Sequence, residues 1–406
     1  MAYNKKTQLH LAPRQPEKSA EEIKAMNRKI WLHRLKLLRN AILIVCGLVL
    51  LGWGIYYFIT HREYQNYTVV QENARADSES TQFQEFQGNI LRYSNDGAYY
   101  MDLSNHMIWD QTYEFQHPVV DTCGSYAAIA EQDGTEFYIM DTTEMKCKIT
   151  TTYPIKQVRV AQQGSAAVLM EQEGVNYLQI YDKKGKNLAE GALHMENSGS
   201  ALNIALSADG KKLGVSMLDV TEGVVKTTIA FYNFDSVGQN EIDNIVASYS
   251  YKNTVVPRVE FVTNDRMAAF GDNKVIIFEG TQKPEEVEKI SVKKEVRSIL
   301  YNDKYFGLIF NEGDTKHPDR NQLKLYDYHG GQVGKQTFSM DYTSAEFLPN
   351  GEICIHNYTD CLIYTMSGVK KFKNSFKEGL YMILPQKGGL TYTVVLDKKT
   401  QKIRLK

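Results

Sequence analysis

The sequence predicts an all-β propeller of seven or eight blades, eight favoured, behind one transmembrane α-helix and a short cytoplasmic helix. Three observations carry this reading. Residues 41–60 form an uncharged apolar run placed after a basic leader. Past residue 80 the chain offers no long helical period, only short β-branched and aromatic runs broken by Gly, Asn and Asp, which is strand and hairpin grammar. Finally, an apolar-aromatic run ending in an acid recurs along the chain.

The leader, residues 1–40, carries ten Lys or Arg against three Glu, a net +7. Within it Ser19 and Glu22 have the spacing of a capping box, and Ile23, Met26, Ile30, Leu35 and Leu38 recur at roughly helical spacing. A helix reaching the start of the span is expected, a juxtamembrane extension first and a docking element for a cytoplasmic partner second. Positive charge stays inside, so the N-terminus is expected in the cytoplasm and residues 61–406 outside.

Residues 41–60, AILIVCGLVLLGWGIYYFIT, reach roughly 30 Å as a helix, the thickness of a bilayer's hydrocarbon core. A cleaved signal peptide would have a shorter apolar region and a small-residue exit. Here the exit is bulky and aromatic, and Trp53, Tyr56 and Tyr57 suit an interfacial belt. The segment therefore reads as an uncleaved signal anchor with the lipid bilayer as its partner. Residues 61–80 read as a linker containing a closing strand, and 81–406 as the propeller.

The acid-terminated runs end at Asp102, Asp141, Asp182, Asp235, Glu279 and Asp327, and a seventh ends without an acid at Thr365. These ends lie 39, 41, 53, 44, 48 and 38 residues apart, a spacing typical of propeller blades. The acids are read as structural. At the end of a third strand such a side chain accepts backbone N–H bonds in the turn to the fourth. Residues 379–406 supply only three strands, and residues 66–72, NYTVVQE, are available as the fourth. Closure of this kind would remove an exposed sheet edge. It gives eight blades; seven result if residues 66–86 pair differently.

Residues 90–112 resemble a blade of the pyrroloquinoline-quinone-type propeller repeat, through Asp96-Gly97, Asp102 and Trp109. The layout also resembles an uncharacterised clostridial-type family of single-pass membrane proteins. The shared features are the basic tail, one span, Tyr67 to Val70 (YTVV), and Phe86 to Gly97 (FQGNILRYSNDG). The first resemblance implies a repeat of the WD40-like kind, and the second implies fold and topology without an activity. Propeller quinone dehydrogenases carry adjacent cysteines, which this chain lacks.

Chemistry is sparsely marked. No G-x-S-x-G, H-E-x-x-H or P-loop pattern occurs, and the histidines are scattered singly. No catalytic, cofactor or metal residue is assigned. Residues 61–406 carry 37 Lys or Arg against 45 Asp or Glu, a net −8, which suits nucleic acid poorly. Cys123, Cys147, Cys354 and Cys361 are expected as free thiols within strands. The polar insertion 311–321 is the candidate interaction loop, through Glu312, Asp314, His317, Asp319 and Arg320. Its acids offer oxygen ligands to Ca²⁺, but their spacing is not that of an EF-hand. A second excursion is expected at residues 216–228. The functional expectation is a membrane-anchored, non-enzymatic scaffold of the cell envelope with a protein partner. The alternative is a sensor that binds glycan or peptide and signals through the tail.

Overall fold

The computed structural model describes residues 20–77, 80–194, 199–221 and 223–406. They form two units, split between Arg62 and Glu63.

The first unit is one continuous helix, Ala20–Thr60. The juxtamembrane helix and the apolar span, expected as two elements, run together because residues 20–46 contain neither Gly nor Pro to break them. Its side chains from Ala41 to Phe58 are exposed along the apolar run, so the helix has transmembrane-like character. The capping residue Ser19 lies outside the described residues.

The second unit is a ring of eight four-stranded antiparallel sheets. Blades 1 to 7 occupy residues 82–112, 118–150, 155–194, 200–252, 258–291, 296–339 and 344–375. Each runs in order from an inner to an outer strand. Blade 8 takes three strands from residues 380–405 and its outer strand from Tyr67–Ala74. That strand pairs antiparallel with Lys399–Leu405, from Tyr67 opposite Leu405 to Ala74 opposite Lys399, with a bulge between Val69 and Gln71.

The core is divided into wedges between successive blades, because each sheet buries both faces against its neighbours. Phe137, Ile139 and Met170 share one wedge between blades 2 and 3. Phe231, Phe278 and Met267 share another between blades 4 and 5. Fully burying each such side chain contributes about 1.5–3 kcal/mol. Aromatic residues of the outer strands reach across the gaps. Trp109 Nε1 donates to the Asp141 carbonyl at 2.9 Å, and Tyr249 and Tyr251 hydroxyls bond Pro284 O and Glu286 Oε2 at 3.0 and 2.6 Å. The wedges are unequal. Fourteen buried residues fill that between blades 7 and 8, but only five fill that between blades 8 and 1, where the ring closes.

The closing wedge is held by polar groups instead. Arg75 donates to Asp77, to the Leu396 carbonyl at 2.6 Å and to Thr400 Oγ1, and its guanidinium stacks 4.7 Å from the Phe83 ring centroid. Elsewhere inner strands clamp one another side chain to backbone. Asp121 Oδ2 accepts from Val160 N at 2.7 Å, Gln157 Oε1 from Ile204 N at 3.0 Å, and Asn203 Oδ1 from Val259 N at 2.9 Å. These bonds fix the positions of neighbouring inner strands, and hence the bore of the channel they surround.

Candidate functional site

First-to-second and third-to-fourth strand turns open on one face of the ring, and second-to-third turns open on the other. The repeat acids end third strands and so lie on the first face. Asp102 Oδ1 accepts from the Ser104 and His106 amides at 2.7 and 2.9 Å, and Asp141 Oδ1 from Thr143 and Glu144 at 2.7 and 3.0 Å. Asp182 Oδ1 takes Lys184 and Lys186 at 2.8 and 2.9 Å, and Asp327 Oδ1 takes His329 and Gly331 at 2.9 and 2.8 Å. Backbone hydrogen bonds from Lys186 and Lys184 hold the Asp182 carboxyl below its ordinary value.

Two of the acids do other work. Asp235 pairs with Lys211 at 2.8 Å, and Asn233 Oδ1 caps the turn by accepting the Asp235 amide. Here the connection is enlarged by two short 3₁₀ turns, Gly238–Asn240 and Ile242–Asn244, an insertion that sequence periodicity does not reveal. Glu279 pairs with Arg266 at 3.2 Å on the neighbouring strand. At Thr365 the hydroxyl substitutes for the acid, accepting the Val369 amide at 3.1 Å.

In the blade that resembles the quinone-type repeat, Gly97 has φ 157°, and a Cβ there would stand 2.7 Å from the Gln111 carbonyl oxygen. The Asp-Gly pair is thus demanded by the close approach of the outer strand.

The insertion 311–321 is the second-to-third turn of blade 6, on the opposite face. Asp314 is spent on the loop's own backbone, accepting the Lys316 and His317 amides at 2.8 Å each. Glu312 pairs with Lys294, and the Asp319 carbonyl accepts the Met340 amide at 3.1 Å. Arg320 begins the third strand. Glu312, Asp314 and Asp319 do not converge, and no metal-binding group of three His, Cys, Asp or Glu exists among the described residues. The excursion at 216–228 is shorter than expected, since strands run through Asp219 and resume at Lys226.

A cavity of about 1130 Å³ opens into the channel. It is walled by the inner strands of blades 1, 2, 5, 6, 7 and 8, and turns 302–305 and 348–351 edge its mouth on the first face. The sequence reading of a ligand sensor places its ligand in the central channel but names none of these lining residues. A half-buried ion-pair network lies among the inner strands. Arg159 donates to Asp121 Oδ1 and Glu260 Oε1, both at 3.1 Å, while Arg258 donates to Glu260 Oε1 at 3.1 Å and to the Tyr301 hydroxyl at 2.9 Å. Burial opposes the Arg159 charge, but Glu260 and Asp121 together hold it protonated.

Glu346 has no such partner. It projects from the inner strand Ser344–Phe347 into the channel, open to channel water yet walled by protein, and makes no ion pair or side-chain hydrogen bond among the described residues. Burial pushes its carboxyl up to about 7, and the Glu85 charge from blade 1 adds to the effect. Phe83 and Tyr381, rings 5.4 Å apart, line the same cavity.

The profile of a family of unknown function, DUF5711, matches residues 60–405. The chain belongs to the DUF5711 family. Among curated proteins none matches it. Solved structures similar to this DUF5711 chain include BamB from Moraxella catarrhalis, 11% identical, covering 84% of this chain and 100% of that one with a TM-score of 0.49. Hydrazine synthase of Kuenenia stuttgartiensis is 11% identical over 72% of this chain and 96% of its own, with a TM-score of 0.47. The Pan2 WD40 domain of Neurospora crassa is 8% identical over 85% and 97%, with a TM-score of 0.45. Such values say nothing of ligand or partner.

Proposed function

We propose that this DUF5711 chain is a membrane-tethered, extracytoplasmic propeller acting as a non-enzymatic scaffold for other cell-envelope proteins. This is the layout of the clostridial-type single-pass proteins it resembles. The observation that supports the reading most is the cross-linking of the ring. Inner strands are clamped side chain to backbone through Asp121, Gln157 and Asn203, and the closing wedge is bolted by Arg75. A frame held this way presents its loops with little freedom left to lose on binding. The helix of transmembrane-like character and the basic leader support a cytoplasmic N-terminus.

In-cell crosslinking and capture of the full-length chain tests the role. Reproducible envelope proteins, lost when the second-to-third loops are exchanged, are expected; an empty capture refutes a scaffold. Orientation is tested with Gln65→Cys, because Gln65 is exposed whereas Tyr64 is buried. An impermeant thiol reagent should label that variant in intact cells above the parent chain, and silence would reverse the topology.

The channel favours a second reading, that of a ligand sensor. Carboxylates and aromatic rings share its wall, and its volume suits a small ligand. A glycan or peptide ligand held there would need a cytoplasmic partner to pass the signal on.

A further inference from the structure

The charges that face the channel do not balance. Arg258 and Arg159 are both consumed by Glu260, Asp121 and Tyr301 within the wall. His356 is pushed down by burial, so it is neutral at pH 7 and supplies no cation. At the mouth Asp303 and Lys304 sit side by side on one exposed turn. Glu85 accepts only the Gly88 amide, at 2.6 Å, and Glu346 accepts nothing. Two carboxylates from blades 1 and 7 therefore face one cavity with no counter-charge paired to them among the described residues. Glu346, walled by protein without a partner of its own, is costly to ionise, and a cation entering the cavity would relieve that cost.

The apolar wall beside them narrows the ligand class. Phe83 and Tyr381 are in contact with each other, and Tyr381 also meets Tyr358 with centroids 6.1 Å apart. Aromatic faces attract an organic cation and its carbon skeleton alike, whereas a bare metal ion would need more oxygen ligands than two carboxylates give. Building on the ligand reading above, we propose that the channel binds a small organic ammonium compound, its charge set between Glu346 and Glu85 and its carbon frame against Phe83 and Tyr381.

Two sources of that chemistry, an amino sugar and an acyclic amine, are separated by the choice of probes. Full-length protein in detergent is titrated calorimetrically with glucosamine, with 1,5-diaminopentane and with neutral N-acetylglucosamine. One or both amines are expected to bind, and the neutral sugar not. Affinity should fall about tenfold or more in Glu346→Gln, with Glu85→Gln as the second variant and the parent melting temperature as the check on folding.

A second readout follows from the raised Glu346 carboxyl. Binding of 1,5-diaminopentane, whose ammonium groups stay charged throughout, should release a proton and tighten between about pH 6 and about pH 8, and Glu346→Gln should abolish that dependence while Glu85, Tyr381, Arg258 and His356 are left in place. Amines that bind the parent and both variants equally would overturn the proposal. If N-acetylglucosamine binds and the amines do not, the ammonium inference falls while the ligand reading stands. If no probe binds, both fall.

Discussion

Arg75 donates from Nε to Asp77 Oδ2 at 2.8 Å, with both side chains under 7% exposed. The same carboxylate receives Arg92 Nη1 at 2.7 Å, so one acid ties the segment after the closing strand to the second strand of blade 1. Burial tends to discharge Arg75, and Asp77 opposes this. Removing one member of a buried pair leaves the other uncompensated, at a cost of about 3–5 kcal/mol. Asp77→Ala should therefore lower stability to denaturant by about that amount. The exposed pair Lys156–Asp133 provides the contrast, and Asp133→Ala should change stability by about 1 kcal/mol or less. Equal effects would show that the closing wedge is not held by its ion pairs.

Deleting residues 64–74 removes the outer strand of blade 8 and leaves Lys399–Leu405 as an unpaired edge. Tyr64, buried against blade 7 and bridged to Phe372, is lost as well. A large fall in melting temperature and a tendency to associate through the exposed edge are expected. A melting temperature equal to the parent's would refute closure by this strand.

The ring was legible in the sequence because its turns repeat locally. Asp102, Asp141, Asp182 and Asp327 each cap a turn within four residues of their own position. The partner of the incomplete last blade was legible because Tyr67 to Val70 reads as a strand with no neighbour of its own. The residues lining the channel were not. Asp121, Arg159 and Glu260 meet across three blades, and Glu85 and Glu346 line one cavity only once the ring has closed. One signal was present, since a charged residue inside a short inner-strand run, as in Arg258–Thr263 or Ser344–Phe347, sits where a buried sheet would otherwise place an apolar one.

Glu346 sets a pH dependence whose sign is fixed. Its folded pKa, about 7, lies above the ordinary 4.5, so the folded state binds the proton more tightly than the unfolded chain. Stability is then fully retained below about 4.5 and falls as pH rises towards 7. Glu346→Gln should abolish that part of the decline. Melting curves of parent and variant should converge near the acidic end and separate by pH 8, the variant being the more stable there. Curves that run parallel over the whole range would show that Glu346 is not destabilised by its place in the channel.

Replacing residues 312–319 by Asn-Gly tests the loop of blade 6 independently of the frame. The replacement removes one exposed ion pair, Lys294–Glu312, and the bond from the Met340 amide to the Asp319 carbonyl. The first is worth about 1 kcal/mol or less and the second about 1 kcal/mol. A small drop in melting temperature is expected, with loss of captured partners if this face carries the scaffold role. Full retention of every captured protein would remove the loop from the interface.

Cys354 and Cys361 bring their sulfurs to 3.8 Å on adjacent strands of blade 7, both fully buried and unbridged. The hydrogen bond to Cys361 and burial together raise the Cys354 thiol well above its ordinary value. Thiolate, not thiol, reacts, which protects Cys354, and complete burial shields both residues from reagent, so neither should label at neutral pH in the native state. Cys123 is also pushed up, to about 11, by burial and by the nearby Asp121. In the native protein Cys354 and Cys361 should therefore react slowly with a thiol reagent, and denaturant should release both together. Rapid native labelling of either would mean that blade 7 opens on its own, which the fourteen-residue wedge against blade 8 is built to prevent.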